Sequence, residues 1–215
     1  MRAVLALVLL LSLAGCFSSP AVHFYVLASP EGEDISARDR EAEGPRVAIM
    51  PVSLPGYLQR PQMVLRQGDD VDIRIEDFHR WGEDLSLGIA RVLSLAMTRD
   101  MRSRRGVAMP LRSGVPADYR AQVDIRRFEG APGGKVQLEA AWSLSRDGKT
   151  LRDGVFRTEG AAGASMADMI EAQSDLLEEL GTELARITLA VDAGSSQAER
   201  RRDGRQSQSG WKTRE

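Results

Sequence analysis

The chain has 215 residues, with 29 Lys and Arg against 31 Asp and Glu and a formal net charge of −2 at pH 7. So mild a balance gives no electrostatic footprint for nucleic acid. One cysteine and two histidines leave a His/Cys metal site unsupported, and no metal or cofactor is expected.

Residues 1–15 read as a secretory signal: Arg2 is the positive start, Ala3 to Leu11 the apolar run, and Leu13-Ala14-Gly15 the small-residue approach to a cut site. The run is too short to span a bilayer, which takes ~20 apolar residues. It ends at Cys16, the sole cysteine, and Leu13-Ala14-Gly15-Cys16 resembles the lipobox of bacterial lipoproteins. Cleavage before Cys16 would free its amine and thiol for acylation, which also removes an unpaired thiol from an oxidising compartment. Several acyl chains make such an anchor permanent. Phe17 stands where Asp favours retention in the inner membrane of Gram-negative bacteria, so the expected location is the periplasmic face of the outer membrane. Residues 16–21 form the lipidated tether, whose five residues after the cysteine reach at most ~18 Å.

A single domain is expected over residues 22–191. Val22 to Leu27 is rich in β-formers and reads as a first strand. Residues 28–46 carry Glu31, Glu33, Asp34, Asp39, Glu41 and Glu43 and read as a solvated loop. Arg46 to Val52 is a second strand, stopped by Pro51. Gln62 to Arg66 and the alternating Val71 to Glu76 make a hairpin with one wet face. From Leu85 the period changes, and Leu85, Ile89, Val92, Leu93 and Ala96 form a helix face with Glu83 and Asp84 at its start. Tyr119 to Phe128, Val136 to Ser145 and Thr150 to Thr158 are the clearest strands, with Asp147-Gly148 as a hairpin turn. Ser165 and Asp168 open a second helix, whose apolar stripe from Met166 to Val191 has Gln173 as its one polar member. Residues 192–215, with Arg200, Arg201, Arg202 and Arg205, read as a disordered polar and basic tail. The fold class is α+β: a mostly antiparallel sheet with two amphipathic helices on one face.

Catalytic signatures are missing. There is no Gly-x-Ser-x-Gly elbow. Gly133-Gly134-Lys135-Val136 lacks the earlier glycine and the Ser/Thr of a phosphate loop and is more simply a hairpin turn. An enzyme is not expected. Leu54 to Gln62 and Asp77 to Glu83 read as two loops carrying Tyr, Phe, Trp and Arg, the types enriched at interface hot spots. They nominate Tyr57, Leu58, Arg60, Pro61, Gln62, Phe78, Arg80 and Trp81 as partner-binding residues. The competing reading has Phe78 and Trp81 covering the core while Arg60 and Arg80 pair locally.

Pro51-Val52-Ser53-Leu54-Pro55-Gly56-Tyr57-Leu58-Gln59-Arg60-Pro61-Gln62, followed by Phe78-His79-Arg80-Trp81-Gly82-Glu83-Asp84-Leu85, resembles the PqiC-type family of ABC transport auxiliary lipoproteins. The chain departs from that pattern at Gln59, in place of Asp, at Gly82, in place of Ala, and at Asp84, in place of Pro. The resemblance implies a lipoprotein of an MCE-type intermembrane lipid transport system, docking a PqiB-like periplasmic MCE-domain protein as a homo-oligomeric ring. The alternative is a lipid-binding or envelope-assembly lipoprotein acting on its own, with a periplasmic hydrolase last.

Overall fold

The structure is a computed structural model that describes residues 20–29, 44–66, 71–102, 106–111 and 116–209, with side chains up to residue 197. Cys16, the signal segment, the acidic residues 31–43 and the Gln67–Asp70 turn lie outside the described residues.

Alternation in the sequence builds the sheet. Strands β1 (His23–Tyr25), β2 (Arg46–Ile49), β3 (Gln62–Leu65) and β4 (Arg74–Trp81) precede helix α1 (Leu85–Met101), and β5 (Val107–Pro110) follows it. Strands β6 (Tyr119–Gly130), β7 (Lys135–Arg146) and β8 (Lys149–Ala161) then form a meander ahead of helix α2 (Met166–Ser209). In β6, Tyr119, Ala121, Val123 and Ile125 are buried, while Arg120, Gln122, Asp124 and Arg126 face solvent. One face of the sheet is therefore covered and the other open.

The eight strands form one mixed sheet in the order β1-β4-β3-β6-β2-β5, with β7 and β8 continuing from β6. The long pairings β6–β7, β7–β8 and β3–β4 are antiparallel. Crossovers make β2 parallel to both β5 and β6, and β1 parallel to β4. Gly148 (φ 76°) and Asp147 (φ 50°) are both left-handed in the β7–β8 turn, the conformation an Asp-Gly hairpin requires. Gly133 (φ 72°) turns β6 into β7, and its N–H donates to Gly163 O at 2.7 Å, so this glycine-rich segment is a hairpin.

Both helices cover the same face, α1 over β5 and β2 and α2 over β6, β7 and β8. Asp84 caps α1 by accepting from the Ser86 N–H at 2.8 Å. At α2 the Asp168 N–H donates to Ser165 Oγ at 3.1 Å while the Ser165 N–H donates to Asp168 Oδ2 at 3.0 Å, a reciprocal cap. Twelve of the 17 residues of α1 are buried, because α2 closes the side the sheet leaves open. Val92, Leu93, Met97, Ile125, Leu138 and Leu177 meet in the core.

Two expectations need correction, and one strand had no counterpart among them. Strand β4 runs on through Trp81, so Asp77–Trp81 is strand and not loop. Its pairing jumps from Met63↔Glu76 to Gln62↔Arg80, leaving Asp77, Phe78 and His79 as extra residues in a bulge. Helix α2 continues to Ser209 instead of ending at Val191; no proline interrupts that stretch, and its Ala, Glu, Gln and Arg favour helix. Strand β5 was not legible, because a short buried parallel strand does not alternate.

Candidate functional site

The turn Pro55 to Arg60 is fixed on three sides. Pro55 is extended (φ −63°, ψ 148°) and enters a 3₁₀ turn, Gly56–Leu58, in which the Leu58 N–H donates to Pro55 O at 2.9 Å. Upstream, Ser53 pairs with β6 through its N–H to Val123 O at 3.1 Å and its carbonyl from the Ile125 N–H at 2.9 Å. Downstream, the Trp81 N–H donates to Pro61 O at 2.7 Å. Gln59 spans the turn, donating from Nε2 to Leu54 O at 2.6 Å.

Beneath this turn lies a buried carboxylate. Glu129 is 1% exposed, yet it is fully engaged. Tyr57 Oη donates to its Oε2 at 2.9 Å, and the Phe128 N–H donates to the same oxygen at 2.8 Å. Arg66 Nε approaches Oε1 at 2.8 Å and Arg127 Nε at 3.3 Å. The Arg66 guanidinium also sits 5.7 Å from the Tyr57 ring centroid. Burial, and after it the charge and hydrogen bond of Glu129, push the Tyr57 hydroxyl up to about 12. Tyr57 is thus a lock holding the turn to β6.

On the outer side of the turn is an open groove of about 850 Å³. Its apolar wall is Val52, Leu58, Pro61 and Trp81, and its far side is the start of α1, with Glu83, Asp84 and Ser86. Glu83 pairs with Arg91 at 2.7 Å, and Asp84 is held below the ordinary carboxylate range by its hydrogen bonds from Ser86. Those carboxylates are already engaged. Arg60 also lines the groove, and its Nε is buried with no hydrogen-bond partner; its guanidinium has no ion pair among the described residues.

The structure separates the nominated residues. Leu58, Arg60, Pro61 and Trp81 converge on the groove. Leu58 and Trp81 do so as core residues, 4% and 8% exposed, so the core-covering reading holds for Trp81. Tyr57 points away, into the Glu129 network. Gln62 is half-buried at the start of β3 and pairs in register with Arg80. Phe78 is 41% exposed on the bulge of β4, outside the groove, and Arg80 Nε donates to Asp77 O at 3.2 Å. Cys16 lies outside the described residues.

Two contributors were missed. Glu129 gave no signal beyond a break in the alternation of β6, where residues 128–130 are all buried. His23 and His79, unconnected in sequence, stack with ring centroids 5.5 Å apart through the β1–β4 register, and Tyr25 Oη shares a 3.0 Å hydrogen bond with His79 Nδ1. Among the described residues no cluster of three potential metal ligands forms, and no helix is long and apolar enough to cross a membrane.

The turn, its lock and the groove fall inside residues 25–185, which match the family model described as the ABC-type transport auxiliary lipoprotein component. The chain belongs to this family. It is therefore a lipoprotein component associated with ABC-type transport. Two crystal structures share the auxiliary lipoprotein's fold. One, titled an uncharacterized protein, is 18% identical with a TM-score of 0.63, over 79% of this chain and 99% of that one. The other, protein XCC0632 from Xanthomonas campestris, is 15% identical with a TM-score of 0.61, over 82% of this chain and 99% of that one. Among curated protein sequences, none matches the auxiliary lipoprotein.

Proposed function

We propose that this chain is a non-catalytic docking subunit of an MCE-type intermembrane lipid transport system. In this reading Cys16 carries acyl chains that fix it to the periplasmic face of the outer membrane. The 52–61 turn and the start of α1 then receive the periplasmic MCE component. The observation that carries the docking is Arg60. Its guanidinium lines the open groove with no ion pair among the described residues, where a partner carboxylate would pair with it. Apolar Val52, Leu58, Pro61 and Trp81 beside it supply the dry surround that makes an arginine anchor strong. The turn is already fixed by Tyr57, Ser53 and Pro61, so ordering it costs little on association. A carrier holding lipid by itself would need an enclosed apolar cavity, whereas this groove is open and has Arg60, Glu83 and Asp84 on its walls.

The test is retention of periplasmic MCE-domain fragments by the immobilised mature chain, with Arg60→Glu as the comparison. Retention by the wild type and its loss in the variant supports the reading. Equal retention by both moves the contact elsewhere, and no retention by a folded wild type overturns it.

A further inference from the structure

We propose that the outward face of β1, with the adjoining end of β4, lies against the phosphate-bearing surface of the membrane that holds the lipid anchor. The inference rests on the reading of Cys16 as acylated and deepens it, because it gives the domain an orientation on its bilayer.

The register creates the surface. His23, Phe24 and Tyr25 pair in parallel with His79, Arg80 and Trp81, and directly paired side chains share a face. Tyr25, Trp81 and Leu27 turn inward, the last two 8% and 2% exposed. Val22, Phe24 and Val26 therefore turn outward, at 40%, 66% and 57% exposed, and Phe78, in the adjoining bulge of β4, is exposed at 41%. The middle of the same open face is polar, with Arg120, Gln122, Asp124 and Arg126 on β6. An exposed apolar strip at the β1 edge, beside a polar middle, calls for a covering.

Three observations point to lipid as that covering. First, β1 is the edge strand nearest the anchor, and the six peptide steps from Cys16 to Val22 reach at most ~22 Å. A face so tethered stays within a short distance of the bilayer. Second, Arg80 pairs with Phe24 at the centre of the strip, which places a cation among apolar side chains, the composition that suits phosphate headgroups over acyl chains. Third, β1 is a three-residue strand with one edge unpaired among the described residues, a short backbone edge that suits the hydrated headgroup layer better than deeper insertion.

The test uses the full lipidated chain in vesicles of phosphatidylethanolamine and phosphatidylglycerol. Cys16 is the only native cysteine, so once acylated it leaves a thiol introduced by Phe24→Cys as the single site for a polarity-sensitive fluorophore. Leu111→Cys provides the control, since Leu111 is 43% exposed just past β5, at the opposite edge of the β1-to-β5 strand order. The expected result is a blue-shifted label at residue 24 that loses most of its emission to spin-labelled lipid, with the label at residue 111 unaffected. Acylated, vesicle-bound protein with both labels unquenched overturns the proposal while leaving the anchor intact. A blue-shifted label at residue 24 that lipid does not quench overturns it in favour of a protein cover. An unacylated Cys16, read by mass spectrometry, overturns the anchor and this orientation together.

Discussion

Tyr57 donates its phenolic hydrogen to the buried carboxylate of Glu129 at 2.9 Å, joining a turn between β2 and β3 to the end of β6. The contact links residues 72 positions apart and ties the turn to a charged group on a different strand. Tyr57→Phe keeps the ring and its contact with Arg66 but removes the donor. A hydrogen bond to a charged group contributes about 1.5–3 kcal/mol, so urea unfolding should show a loss in that range. Partner retention should fall too, although Tyr57 points away from the groove, since the position of Arg60 depends on the turn.

The same hydroxyl makes stability depend on alkaline pH. Burial first, then Glu129, raises it from 10.0 to about 12, so the folded chain keeps a proton that the unfolded chain releases over that interval. The contribution is complete below pH 10 and disappears as pH climbs through about 12. Urea midpoints followed through this window should fall for the wild type and fall less for Tyr57→Phe. Parallel decline of the two would show that Tyr57 does not keep its proton in the folded state.

Arg60 should behave in the opposite sense to an ordinary structural residue. Arg60→Ala deletes a buried donor that has no acceptor, removing a penalty of about 1–3 kcal/mol, against which stands the lost packing of its stem. The unfolding midpoint should therefore stay level or rise. Affinity for an MCE-domain fragment, measured by calorimetry, should fall at least roughly tenfold, the equivalent of about 1.4 kcal/mol. A variant that is destabilised yet binds normally would mark Arg60 as scaffold.

The sequence showed most where one signal had one outcome. Alternation located β6, β7 and β8 within a few residues, and Asp84 and Ser165 gave helix starts through local hydrogen bonds that need no tertiary context. It showed least where a residue's role depends on a distant partner. The three-residue bulge at Asp77–His79 breaks the period of β4, which made Phe78 and Trp81 look like one loop cluster when they serve different surfaces. Tyr57 read as a hot spot because its type is common at interfaces, and only the approach of Glu129 turns it into a lock. The parallel pairings of β1, β2 and β5 arise from crossovers that leave no periodic mark.

Gln173 is a second buried polar group with an incomplete set of partners. Its Nε2 donates to Phe128 O at a long 3.4 Å, and its Oε1 is buried without a donor. Gln173→Met keeps the length of the side chain and removes the orphan oxygen. Stability should rise by about 1 kcal/mol, read as a higher urea midpoint at unchanged m-value.

Gly181 decides how closely the two helices pack. A Cβ placed there would stand 2.6 Å from the Ala96 Cβ and 3.5 Å from Leu93 O. Carbon pairs rest at ~3.5–4.0 Å, and neither neighbour is the free end of a flexible side chain, so α1 and α2 must move apart. Helix propensity favours Gly181→Ala by about 1 kcal/mol, while overpacking a filled core costs about 1–3 kcal/mol. Overpacking should win, with a net loss of about 1 kcal/mol or more in urea unfolding. Ala96→Gly removes the opposing methyl, so the double variant should regain much of the loss and the cycle should show a coupling of at least about 0.5 kcal/mol. Purely additive effects would mean that the helices do not approach each other at this pair.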